Sequence, residues 1–115
     1  MVSPRKSPTA VQRGDIWLVN LDLTAGSEIQ KSRPCVVISP GELNDHLRTV
    51  IIAPMTSQGF AAPFRVDIVH AGTSGLILLD QLRSVDKSRL LKKQGGVANN
   101  TLLAVLEVMQ TLFTY

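Results

Sequence analysis

Arg33-Pro34-Cys35-Val36-Val37-Ile38-Ser39-Pro40-Gly41 is the stretch on which the fold turns. Cys35 to Ile38 are apolar at consecutive positions and mostly β-branched, which favours an extended chain. Side chains alternate between the two faces of a sheet, so a strand apolar on successive residues is covered on both sides. A strand is expected over residues 35–39, stopped by Pro40-Gly41. Just upstream, Gly26-Ser27-Glu28-Ile29-Gln30-Lys31-Ser32-Arg33-Pro34 sets a carboxylate and two cations at the mouth of that strand. Such charge is not needed merely to turn the chain. A buried strand would hold Arg33 at a fixed place, and Glu28, Lys31 and Arg33 read as a site for a phosphate.

Working outward, residues 16–21 read as a first strand and residues 22–32 as a long loop bending at Gly26. Residues 42–47 read as one helical turn. A third strand is expected over residues 49–53, ended by Pro54-Met55-Thr56-Ser57. In the run 64–69, Phe64, Val66 and Ile68 alternate with Arg65 and Asp67, a half-buried strand. Gly72-Thr73-Ser74-Gly75 reads as a turn, residues 76–79 as a further strand and residues 86–90 as a short helix. Gly95-Gly96 would break the chain before a last helix capped by Asn99 or Asn100. Leu102, Val105, Leu106, Met109, Leu112 and Phe113 then make one apolar core-facing stripe. Five or more short strands and a terminal helix predict a small, strongly bent antiparallel sheet, nearly closed like a barrel. One helix cannot cover two faces, so a second copy of the chain is expected as the other cover, making a homodimer.

A chain of 115 residues fits one domain. Its 44% hydrophobic and 18% charged content is globular. A formal charge of +3 and a pI near 9.4 suit a polyanionic partner. The lone Cys35 excludes an internal disulfide framework and fits a reducing compartment. No apolar run approaches the roughly 20 residues of a membrane span. Residues 1–12 lack the apolar centre of a signal peptide, so the expected location is cytoplasmic. They read as a basic tail, either a fraying terminus or an electrostatic lure for nucleic acid, ahead of a domain over residues 13–115.

Zinc-type Cys/His spacing, a phosphate-cradling Gly-Lys-Ser/Thr loop and a nucleophile elbow are all missing from the sequence. Carboxylates are scattered, so an enzyme built on this chain would work without a metal. His46 and His70 each stand alone near a turn and read as exposed turn histidines. Cys35 reads as an inert core thiol. What remains is Arg33, Glu28 and Thr56. If Arg33 starts one strand and Thr56 ends the next, antiparallel pairing brings both to one rim. A guanidinium beside a hydroxyl can cradle a phosphate oxygen. A plain surface ion pair between Arg33 and Glu28, with Thr56 capping a turn, fits the same residues.

Four stretches in order carry a resemblance: Arg13-Gly14-Asp15-Ile16-Trp17-Leu18-Val19; Gly26-Ser27-Glu28 with Arg33-Pro34; Ala53-Pro54-Met55-Thr56-Ser57; and Asp80-Gln81-Leu82-Arg83-Ser84-Val85-Asp86-Lys87 with Arg89-Leu90. From Arg13 onward the chain resembles the MazF/PemK family of toxin endoribonucleases from toxin–antitoxin modules. The resemblance implies an SH3-like, partly closed antiparallel barrel with a C-terminal helix, of the type shared by CcdB and PemK proteins, assembled as a homodimer. It implies metal-independent, cofactor-free, sequence-selective cleavage of single-stranded RNA, as in an mRNA interferase, leaving a 2′,3′-cyclic phosphate and a 5′-hydroxyl. Arg33 and Thr56 fall on the family's catalytic positions, and Glu28 falls in the adjoining loop.

The 2′-hydroxyl would attack its own phosphate, which restricts the reaction to RNA. Arg33 would stabilise the charge on phosphorus, with Thr56 donating to a non-bridging oxygen. The resemblance lets the arginine share in proton transfer, but a guanidinium rarely gives up its proton, and Glu28 is the alternative base. RNA binding is expected of Ser27, Lys31, Ser57, Gln81, Arg83 and Lys87, with Arg48 and Arg89 near them. Structural pairing of the 83–89 cations with Asp80 and Asp86 is equally open. Trp17 could stack a base but reads as core. The implied protein partner is an antitoxin with a disordered acidic and apolar segment over the Arg33 loop. A gyrase-binding, CcdB-like toxin and an inactive RNA-binding module are the rival readings. Loops 28–32 and 58–62 would set which bases are read.

Overall fold

The computed structural model describes residues 10–21 and 32–115, which form a seven-stranded antiparallel sheet and a C-terminal helix. Strand β1 (Asp15–Asn20) pairs with β2 (Ser32–Val37), which pairs in turn with β3 (Thr49–Thr56). Between β2 and β3 lies a single turn of helix, α1 (Gly41–Asn44). Strand β4 (Arg65–His70) forms a hairpin with β5 (Thr73–Leu78). Strands β6 (Arg83–Asp86) and β7 (Leu90–Gly96) follow, and α2 (Asn99–Leu112) closes the chain. The order across the sheet is β4-β5-β3-β2-β1-β7, with β6 branching from β3.

The curl brings the two ends of that order together. Nε2 of His70, on β4, lies 3.2 Å from Oε1 of Gln94, on β7. The partly closed barrel expected from the sequence is what forms, and similar solved structures described below share it.

Two apolar clusters explain the consecutive apolar runs. Ile16, Val36, Ala53, Met55, Ile68 and Ile77 pack with Val105 of α2 on one face. Trp17, Cys35, Val37, Val50, Ile52 and Val85 pack on the other, under Val11. Neighbouring residues such as Ile16 and Trp17, or Cys35 and Val36, therefore serve opposite cores. Both covers come from this one chain. The N-terminal motif has a structural job too. Asp15 is buried, accepts hydrogen bonds from the Gln12 amide at 2.9 Å and Trp17 Nε1 at 3.3 Å, and pairs with Lys93 at 3.5 Å.

Several element boundaries differ from the sequence reading. Strand β2 starts earlier and ends at Val37, because the Ser39 hydroxyl accepts the Ile51 amide at 3.0 Å and bonds buried Asn44, ending regular pairing. Strand β3 runs through Pro54 to Thr56 rather than stopping at Ala53. Its outer partner changes there, from β6 along Thr49–Ile52 to β5 at Met55 and Thr56, where a missing amide donor is tolerated. The β4–β5 turn is Ala71-Gly72, with φ of 52° and 78°, so Thr73, Ser74 and Gly75 are strand residues. Two left-handed residues suit the twist of a tight hairpin.

Residues 87–89 form a 3₁₀ turn, and Gly95-Gly96 belong to β7 rather than breaking the chain. Neither Asn99 nor Asn100 caps α2; Ala98 precedes it without a side-chain cap. Val105, Val108 and Met109 reach the core. Leu112 and Phe113 do not, being 43% and 76% exposed, because the core ends at Met109 and the stripe outruns it. Among the described residues no helix is long and apolar enough to cross a membrane.

Candidate active site

The register Val37↔Ile52, Val36↔Ala53, Cys35↔Pro54 fixes the centre of the site. Continued by two residues, it sets Arg33 opposite Thr56. Arg33 is exposed, yet its neighbour Cys35 is fully buried, so the strand is anchored directly beneath the guanidinium. Among the described residues, no hydrogen bond or ion pair engages that guanidinium. Thr56 Oγ1 accepts a hydrogen bond from the Gln58 amide at 3.1 Å. The turn-capping role is therefore real, and it leaves the hydroxyl hydrogen free to be donated elsewhere.

Two cavities meet at this pair. One, of about 570 Å³, spreads from Arg33 across Ser57 and the β4–β5 hairpin to His70 and Gln94. The other, of about 310 Å³, extends towards Leu21, Arg65 and Gln81. Arg33, Thr56 and Gln58 line both, so they stand on the divide between them. Gly75, which lines the first cavity, marks a close approach of β5 to β3. A Cβ there would sit 2.5 Å from the Thr56 carbonyl oxygen, nearer than any side chain tolerates.

The surrounding charges are strongly organised. Arg65 makes a forked pair with Asp80, each bond 3.2 Å, donates to the Phe60 carbonyl at 3.1 Å and lies 4.4 Å from the Phe60 ring centre. The Arg65 hydrogen bond holds the Asp80 carboxyl below its ordinary range. Burial pushes the Cys35 thiol up to about 12, outweighing the nearby Arg83 and Arg33 charges that pull the other way. A protonated, enclosed thiol has no nucleophilic role.

The structure thus gathers Arg33, Thr56, Ser57 and Gln81 around one centre. Arg83 donates to the Leu21 carbonyl at 3.4 Å and Arg89 to the Asn20 carbonyl at 3.1 Å, so both clamp the end of β1 beside the smaller cavity. Lys87 is not brought to the site: its ammonium bonds the Asn44 carbonyl at α1, and its amide bonds the Arg48 carbonyl at 2.8 Å. That corner lines neither cavity. Trp17 is core and offers no face to a base. Ser27, Glu28 and Lys31 lie outside the described residues.

Gln94 and Arg65 line the cavities without a site role in the sequence reading, and Gln58 lines them from the loop expected to read bases. His70 is half-buried rather than an exposed turn residue, whereas His46 is exposed as expected. One signal was available: the alternation that turns Val66 and Ile68 inward carries on to His70. Among the described residues, no cluster of His, Cys, Asp and Glu could hold a metal ion.

Residues 12–113 match a family described as PemK-like, MazF-like toxin of type II toxin-antitoxin system. The endoribonuclease PemK of Escherichia coli is 38% identical over 110 residues, covering 90% of this chain and 83% of its own length. The endoribonuclease toxin MazF of Escherichia coli strain K12 is 36% identical over 86 residues, covering 74% of this chain and 78% of its own. Among solved structures, MazF (Form-I) from Deinococcus radiodurans has a TM-score of 0.76 at 29% identity, covering 92% of this chain and 98% of that one. A chain of the MazE-MazF structure (Form-II) from the same organism has a TM-score of 0.78 at 30% identity, covering 90% and 95%. With the family matched across nearly its whole length, this chain belongs to the PemK-like, MazF-like toxins of type II toxin–antitoxin systems.

Proposed function

We propose that the chain is an endoribonuclease that cuts single-stranded RNA, such as mRNA, without a metal, and that an antitoxin restrains it. The observation carrying this reading is the Arg33–Thr56 pair on the divide between two cavities. A phosphate on the divide sends the nucleotides on its two sides into separate cavities. The 2′-oxygen attacks phosphorus as its proton passes to a base, the bond to the 5′-oxygen breaks, and that oxygen takes up a proton from solvent, giving a cyclic phosphate and a 5′-hydroxyl. Arg33 offers a fixed, forked cation to the non-bridging oxygens as charge grows there. Thr56, already accepting from Gln58, donates its hydroxyl hydrogen to the same group. Glu28 is assigned as base on chemical grounds, since a guanidinium gives up its proton only above about pH 12.

Gln81 and Ser57 border the path of the RNA, and Arg83 supports it from the end of β1. Ser27, Lys31 and Lys87 complete the sequence-based binding set, Lys87 from a corner outside both cavities. The reading extends to a cytoplasmic homodimer; the uncovered Leu103 on α2 and Phe113 just after it support a partner surface. Relatives solved as MazE-MazF support an antitoxin partner. The test is incubation of a long unstructured RNA, and its DNA counterpart, in EDTA. Cyclic-phosphate ends from the RNA alone are expected; uncut RNA, or equal cutting of DNA, would contradict the proposal.

A further inference from the structure

The larger cavity has a chemical gradient along it. At one end Arg33 is the only permanent charge among its described lining residues. Away from Arg33 the polar lining turns to Thr73, Ser74, His70 and Gln94, and Pro34, Met55 and Ile68 supply apolar surface. A phosphate needs the charged end. A nucleobase needs the other: neutral donors and acceptors for its edge and apolar surface for its face. At about 570 Å³ the space falls in the ordinary range for small-ligand sites.

The far end is built, not incidental. Nε2 of His70 donates to Oε1 of Gln94 at 3.2 Å, across the seam between the edge strands β4 and β7. The amide oxygen can only accept, so Nε2 carries the ring proton. When the ring carries that single proton its Nδ1 accepts, and the Gln94 amide nitrogen is left as a donor. An acceptor beside a donor is the complement that the edge of a base presents. His70 is held at this place by the tight Ala71-Gly72 turn, where it pairs with Thr73.

We propose that the His70–Gln94 pair reads one nucleobase next to the cut phosphate and so sets part of the cleavage sequence. The inference rests on the ribonuclease reading above. It assigns a nucleobase to this end of the cavity and gives specificity to two residues that a purely architectural view would treat as a barrel clasp.

The test is sequencing of the ends cut from an RNA pool of all sequence contexts by wild type, His70→Ala and Gln94→Ala. Gln94 is exposed, so its replacement leaves the core intact even if the His70 variant folds poorly. Preference at one position beside the cut should relax by about 10-fold or more in both variants. A consensus that both variants keep, uniform slowing at every site, or no wild-type consensus would overturn the proposal. Should wild type cut no RNA, the ribonuclease reading fails separately. Fluorescence anisotropy with four uncleavable homopolymer oligonucleotides then decides: a base preference lost in both variants supports the pair as a reader, and equal binding or an unchanged preference overturns it.

Discussion

Gly75 lies so close to Thr56 that a Cβ on it would come within 2.5 Å of the Thr56 carbonyl oxygen. The atom it would meet is backbone, which cannot swing aside. Gly75→Ala must therefore push β5 away from the end of β3. Its predicted cost is about 1–3 kcal/mol in a denaturation experiment. RNA cutting should fall more steeply, about 10²-fold, because Thr56 moves with its strand. Unaltered cutting would mean that the position of Thr56 is not critical.

Thr56→Val keeps the shape of the side chain and removes its donor. Single-turnover cutting should drop about 10²-fold with little change in RNA affinity, and Thr56→Ser should recover most of it. Equal rates for Val and Ser variants would take the hydroxyl out of the chemistry and leave only its turn-capping bond to Gln58.

Much of this arrangement was legible in the sequence. The consecutive apolar residues 35–38 announced a strand with two covered faces, and antiparallel pairing alone predicted that Arg33 and Thr56 would meet. What was hidden lay where local signals compete with long-range pairing. Leu90–Gly96 has the lysines and glycines of a loop, yet β1 recruits it as an edge strand. Pro54 looks like a terminator, but it falls where β3 exchanges partners. Nothing local reveals that the chain itself covers the second face, with Val11 and Val85 in its cluster, so sequence reasoning points to another molecule there. Nothing in the sequence around His70 reveals its contact with Gln94, on the opposite edge of the sheet.

Burial raises the Cys35 thiol from 9.0 to about 12. Above about pH 9 the unfolded thiol sheds its proton while the folded one keeps it, so stability from this group falls as pH rises towards about 12. Denaturation midpoints between about pH 8 and pH 10.5 should decline more steeply for wild type than for Cys35→Ala. Parallel slopes would show that the thiol ionises equally in both states. Native protein should also resist thiol alkylation.

Arg65 holds the Asp80 carboxyl below its ordinary range, so the pair stabilises the fold above that range and loses its effect as pH falls through the lowered value. Arg65→Ala should bring the Asp80 titration back up, read by carboxyl NMR. It should also cost about 1–2 kcal/mol, since the Phe60 carbonyl bond and ring contact go with it. An unmoved Asp80 titration would assign the shift to another cause.

The most direct test of the central claim compares wild type with Arg33→Ala in single-turnover cutting of RNA in EDTA, with the variant's folding checked by its unfolding transition. Arg33 projects from a strand anchored by buried Cys35, so the variant should fold. The account predicts a fall of about 10²–10³-fold in rate with the same cyclic-phosphate ends on whatever product remains. A folded Arg33→Ala that cuts at the wild-type rate would contradict it, and the phosphate site would have to be sought elsewhere on the barrel.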